Sequence, residues 1–207
     1  MSKHPINDTL LNGDLVREPV GDEQGYWAGA PGWVWDDTDQ AGYICYRIRR
    51  PRGVEPDRGG ESRIAKTTDF KTFEDIWSVH KNAYESASIE KSTLRRGADD
   101  RFRYFTSYVA PEDGRWCTTV NTADTVGDLN PANTQRLFNA SDLGLEGVKD
   151  PWILEENGRY YMFLSVAINT ATTSDSSHDS LDIFNTGECV SATALATSDD
   201  LDEWEWQ

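Results

Sequence analysis

Short runs of aromatic and branched residues alternate with polar stretches rich in glycine, proline and aspartate from about residue 26 to the end of the chain. Trp33-Val34-Trp35 leads through the turn Asp36–Gly42 into Tyr43–Ile48, a basic loop Arg49–Gly60, a strand Ser62–Lys66 and the stretch Thr72–Ser78. A second unit runs Ser86–Leu94, turn Arg96–Asp100, Phe102–Tyr108, turn Pro111–Gly114, Trp116–Asn121. A third runs Trp152-Ile153-Leu154, turn Glu155–Gly158, Tyr160–Leu164, a Ser/Thr/Asp-rich insertion Asn169–Ser180, Val190–Ala196 and Trp204–Trp206. Asn157-Gly158 between apolar runs predicts a tight hairpin, because both residues tolerate positive φ. Pro151 cannot donate to a ladder and belongs at a strand's first residue. Helical periodicity is absent except for a weak trace around Phe70–Trp77.

Pro31, Lys91 and Pro151 are spaced 60 and 60 residues apart, each at the start of an apolar run. Thr/Ser-x-Asp marks at Asp69, Asp124 and Asp199 close the third run of each unit. Four short strands per unit and a period near 60 predict an all-β fold, a β-propeller of about three blades at 26–84, 85–144 and 145–207. A β-sandwich with similar strand spacing is the other architecture compatible with this pattern. Residues 1–25 form a lead-in segment with one short strand expected among Leu10, Leu11, Leu15 and Val16. The insertion reads as a flexible loop by composition, with His178 in solvent.

The net charge of −16, from 36 acidic and 20 basic residues, excludes nucleic acid and anionic membrane as partners, both of which require a basic face. With 22 Asp and only 6 Lys, the surface is of the kind expected in concentrated salt, where repulsion between carboxylates is screened. The expectation is a halophilic protein. The N-terminal MSKHPINDTLL has no apolar stretch of a secretory signal, and no run approaches the roughly 20 residues of a membrane span, so a cytoplasmic location is expected. Three cysteines without CxxC spacing indicate neither disulfides nor zinc, and no metal or cofactor is expected.

Lys149-Asp150-Pro151-Trp152, Gly158-Arg159-Tyr160-Tyr161 and the closing Ala196-Thr197-Ser198-Asp199-Asp200-Leu201-Asp202-Glu203-Trp204 carry a resemblance. Residues 26–207 resemble the five-bladed β-propeller glycoside hydrolases, a group that holds arabinanases, β-xylosidases, levanases and β-mannoside phosphorylases. The resemblance implies catalytic carboxylates just before the innermost strand of successive blades, converging at one mouth of the central channel. One would protonate the leaving oxygen and another act as base or nucleophile. Carried over by position, the third slot holds Asp150 and the second Glu90, whereas the first reads Gly29-Ala30-Pro31 and has no acid. The order also departs from the Asp, Asp, Glu of the arabinanase-like pattern. Asp36 and Asp37 follow the strand and belong at the channel's opposite end. Five such blades need about 300 residues, so further blades or a second copy of the chain are the partners implied, with an oligosaccharide or glycoside as substrate.

Trp27, Trp33 and Trp152 are candidate platforms for pyranose rings, or else blade-core residues. Arg95 is a candidate for sugar hydroxyls or phosphate, or else a surface partner of Asp99 and Asp100. Three functions stay open: a glycosidase or glycan phosphorylase relative using Glu90 and Asp150, a non-catalytic glycan-binding propeller that has lost its first acid, and a sialidase-type propeller. The last rests on Ser198-x-Asp200-x-x-x-Trp204, which lacks the glycine of an Asp-box.

Overall fold

The computed structural model describes residues 13–57 and 59–207. Its strands are β1 (Trp27–Asp36), β2 (Ala41–Arg49), β3 (Glu61–Thr67), β4 (Glu74–His80), β5 (Ile89–Arg96), β6 (Phe102–Val109), β7 (Trp116–Ala123), β8 (Gln135–Phe138), β9 (Gly147–Glu156), β10 (Arg159–Asn169), β11 (Cys189–Ser198) and β12 (Glu205–Trp206). They form three successive antiparallel meanders of four strands, and the second and third are joined by a single parallel bridge between Trp116 of β7 and Gly147 of β9. The first strands β1, β5 and β9 lie side by side. The arrangement is an incomplete β-propeller, an arc of blades and not two sheets stacked face to face.

Position in the arc explains the burial of each strand. Every residue of β6 in the middle blade is buried, because that blade has a neighbour on both faces. Its residues Phe102, Tyr104 and Leu94 pack with Ala41, Tyr43, Cys45 and Ile64 of the first blade. On the other face, Phe105 and Val120 pack with Ile153, Met162 and Leu164 of the third. A buried hydroxyl chain crosses the first interface: Tyr104 donates to Ser62 Oγ at 2.8 Å, and Ser62 lies 3.2 Å from Ser92 Oγ. The first strands approach so closely that a Cβ on Gly32 would sit 2.4 Å from the Ser92 carbonyl oxygen.

The outer faces of the arc are open. On the first blade, Trp35 stacks on Phe70 at 5.4 Å and Trp33 leans on the same ring at 5.7 Å, with Phe70 61% exposed. On the third blade, Trp152 packs against Phe163 at 5.7 Å beside exposed Leu154.

Several expectations are corrected. Phe70–Trp77 is not helical: β4 begins at Glu74, and its residues pair with β3. Leu15 and Val16 are exposed and in no strand, while Leu10 and Leu11 lie outside the described residues. The Asn157-Gly158 hairpin is as expected, with φ of 54° and 75° joining Glu156 to Arg159. Among the described residues no helix is long and apolar enough to cross a membrane.

Candidate active site at the channel mouth

The 60-residue spacing has a structural cause. Each first strand carries one extra residue relative to its partner. Between Gly29 and Gly32 on β1, between Ile89 and Ser92 on β5, and between Lys149 and Trp152 on β9, three steps oppose two on the neighbouring strand. These are β-bulges, which bend a strand and re-aim one side chain. The bulged pairs are Ala30-Pro31, Glu90-Lys91 and Asp150-Pro151, and Ala30 and Asp150 take φ of 51° and 61°. A non-glycine residue in that region is strained, and aspartate tolerates it better than most. The Asp150 amide is anchored by donating to Ser107 Oγ at 3.2 Å, within a buried Ser107–Thr118 pair whose threonine donates to the Val148 carbonyl.

The two carboxylates meet at one ammonium. Lys149 Nζ lies 3.8 Å from Glu90 Oε1 and 3.7 Å from Asp150 Oδ2. Glu90 also accepts from the buried guanidinium of Arg47. The Lys149 ammonium stands over the Phe184 ring at 4.6 Å and the Trp116 ring at 5.2 Å, so two aromatic faces hold it in place. The arrangement places two acids on adjacent strands, facing one space and fixed by two cations.

Loops from the outer blades close over this end. The β2–β3 loop hydrogen-bonds to the bulged strand, Ile89 donating to the Gly59 carbonyl at 2.7 Å. The insertion between β10 and β11 folds inward, contrary to the flexible-loop expectation. Asp175–Ser180 forms a 3₁₀ turn with a Ser174–Ser177 capping box. His178 is not in solvent: its side chain is 10% exposed and its Nε2 lies 2.9 Å from Glu146 Oε2, which also pairs with Arg115 at 3.2 Å. Composition misled because a serine-rich segment satisfies its own backbone through short hydroxyl contacts, and the half-buried His178–Glu146 hydrogen bond then pins it.

Of the residues singled out in the sequence, Glu90, Asp150 and Trp27 share this mouth, with the Arg47 guanidinium 5.9 Å from the Trp27 ring. Trp33 and Trp152 do not join them. They lie on the two outer faces, because their neighbours Val34 and Ile153 point into the interblade cores. Arg95 is at the opposite end of β5, donating to the Ile153 carbonyl, and burial pushes its pKa below the ordinary guanidinium value. Asp36 is also at that far end, bound to Arg96 at 2.8 Å. Arg47 and Lys149 are site residues that the sequence reading did not assign. A charged residue inside the apolar strand Tyr43–Ile48 was the available signal for the first. Among the described residues no group of three or more His, Cys, Asp or Glu is placed to hold a metal ion.

No protein-family model matches the chain, and no curated sequence matches it. Its fold does match solved structures. A GH43_12 protein retrieved from a capybara gut metagenome is similar over 93% of this chain and 32% of its own, with TM-score 0.60 and 14% identity. An α-L-arabinofuranosidase from Lactobacillus brevis matches over 93% of this chain and 58% of its own, with TM-score 0.60 and 12% identity. A GH43 β-1,3-galactosidase with galactodeoxynojirimycin matches over 93% and 61%, with TM-score 0.53 and 14% identity. The fold is therefore that of the family 43 propeller glycoside hydrolases, and the chain spans from about a third to three fifths of these structures.

Proposed function

We propose that the channel mouth is a carbohydrate site at which Asp150 and Glu90 act on a glycosidic bond. The observation that carries this reading is their common origin: matching bulges on adjacent first strands, converging on Lys149. Asp150, which lies 3.7 Å from the Lys149 ammonium with its side chain 26% exposed, is the base or nucleophile. Glu90 is its partner across the site, releasing Arg47 or Lys149 when a sugar enters. Further propeller blades, packed on the Trp33–Trp35–Phe70 and Trp152–Phe163 faces, would complete the wall of the channel.

A second reading is a propeller that binds glycans without cleaving them. Ala30 favours it, since the first bulge presents a methyl group where the other two present acids. The ion pairs of Glu90 favour it as well, because Arg47 and Lys149 already engage its two carboxylate oxygens.

Sugar release from aryl arabinosides, xylosides and galactosides by the wild type, Glu90→Gln and Asp150→Asn discriminates the two. Hydrolysis predicts a loss of at least about a hundredfold in either variant with binding retained. Both substitutions keep shape, and asparagine tolerates the φ at position 150. Binding without turnover in the wild type establishes the second reading. Neither binding nor turnover overturns both.

A further inference from the structure

Directly beside Glu90, the two mouth loops enclose a cavity of about 80 Å³. That is space for a few water-sized groups, the scale of a carboxylate. Its wall is unusual for a chain of net charge −16: Arg47, Arg49 and Arg52 line it, against the acids Glu90 and Asp57, with Ser88 between them. Three arginines against two acids leave this wall with a local excess of positive charge. Guanidinium is also the side chain whose planar fork fits an oxyanion with two parallel hydrogen bonds.

The cavity is built by the fold. Gly59, at φ 68°, lets the β2–β3 loop press on β5: a Cβ there would lie 2.0 Å from Ser88 Oγ and 3.0 Å from an Arg47 terminal nitrogen. From the other side, Ser180 and Leu181 of the third blade's insertion complete the wall, Leu181 taking φ 54° to do so. Arg47 is 6% exposed, and its guanidinium is held in place by Glu90, which fixes that side of the wall. Arg52 is exposed and makes no ion pair among the described residues, so its fork is available to a ligand.

We infer that this cavity receives an oxyanion carried by the substrate, the carboxylate of a uronic acid residue on the glycan, and so selects acidic over neutral saccharides. The inference rests on the carbohydrate reading of the mouth and adds the substrate class. A free phosphate has the same recognition chemistry, and the test separates the two sources.

Isothermal titration of the full chain would compare xylotriose, xylotriose bearing one glucuronate, and inorganic phosphate, with wild type and Arg52→Ala. The expected result is binding of the glucuronate-bearing saccharide at least about tenfold tighter than xylotriose, a preference that weakens with salt. In Arg52→Ala the preference shrinks while xylotriose affinity is unchanged. Equal affinity for the two saccharides overturns this inference and leaves the carbohydrate reading standing. Binding of phosphate alone assigns the cavity to free phosphate and overturns the sugar-borne carboxylate. No binding of any probe overturns this inference, and the arabinoside, xyloside and galactoside assays then decide the carbohydrate reading. Arg52 is exposed, so circular dichroism of the variant is expected to match the wild type.

Discussion

At the scale of single residues, a few positions carry constraints that no neighbour can absorb. Gly32 is the clearest. Its missing side chain lets β1 lie against the β5 backbone, and the obstacle a Cβ would meet is a carbonyl oxygen at 2.4 Å, not a flexible side chain. Gly32→Ala must therefore shift a strand, and a loss of about 1–3 kcal/mol is expected, read as a lower midpoint in thermal or urea unfolding. Asp150 is a different case, a strained residue retained where it aims a carboxylate at the mouth. The slots at 30, 90 and 150 were legible in the sequence because a bulge repeats with the blade. Lys149 was not, because its importance comes from Glu90, 59 residues away, and Arg47 showed only as a charge inside an apolar run, its partner Glu90 lying 43 residues away.

At the scale of elements, the blades repeat a turn as well as a bulge. After β3, the Asp69 carboxylate accepts from the Lys71 and Thr72 amides at 2.8 and 2.7 Å, and Thr67 Oγ1 accepts from the Phe70 amide at 3.0 Å. After β11, Asp200 accepts from Asp202 and Glu203, both at 2.9 Å, and Ser198 accepts from Leu201, also at 2.9 Å. Phe70 and Leu201 occupy the same left-handed position, φ 58° and 72°. The closing acid of the third blade is thus Asp200, whereas Asp199 projects outward to Arg159 at 3.6 Å. In the middle blade the device is absent: Asp124 pairs with Arg101, and the Thr125 hydroxyl donates to the Asp128 carboxylate at 2.7 Å. The motif was readable in the sequence for the first blade, was off by one in the third, where two adjacent aspartates offer the same composition, and in the second Asp124 marks no such turn. The amides hold the Asp69 carboxyl at about 2. A depressed folded value means that its contribution is complete above the unfolded value of about 4 and is lost as pH falls through about 2. The difference in melting temperature between wild type and Asp69→Asn is therefore expected to be present at pH 7, to narrow below pH 4 and to vanish near pH 2. A difference that persists at pH 2 would assign the turn's stability to packing.

At the scale of the whole molecule, two features set behaviour in solution. The open outer faces expose Trp33, Trp35 and Phe70 at one end of the arc and Trp152, Leu154 and Phe163 at the other, each a contiguous apolar surface. The other feature is charge. We propose that the acidic surface is suited to concentrated salt. At −16, self-repulsion opposes folding at low ionic strength, and the screening length falls to about 3 Å in molar salt. A melting temperature that climbs steadily from 0.1 to 2 M KCl is expected, and a flat or falling curve would show that the local pairs already neutralise the surface. The propeller itself was legible from strand spacing. The inward fold of the 170–188 segment was not, since it depends on His178 meeting Glu146 and Phe184 meeting Lys149, residues that are distant in sequence and brought together by the folding of the third blade.

The central claim is that the end of the channel holding Glu90 and Asp150 is where a saccharide binds. The most direct test is a titration of the isotope-labelled protein with xylo- and arabino-oligosaccharides, followed by amide chemical shifts. Shifts gathered on residues 27–32, 47–60, 88–92, 147–152 and 178–185 are predicted. Shifts confined to the far end around Asp36, Arg96 and Glu155, or none at saturating sugar, would contradict it.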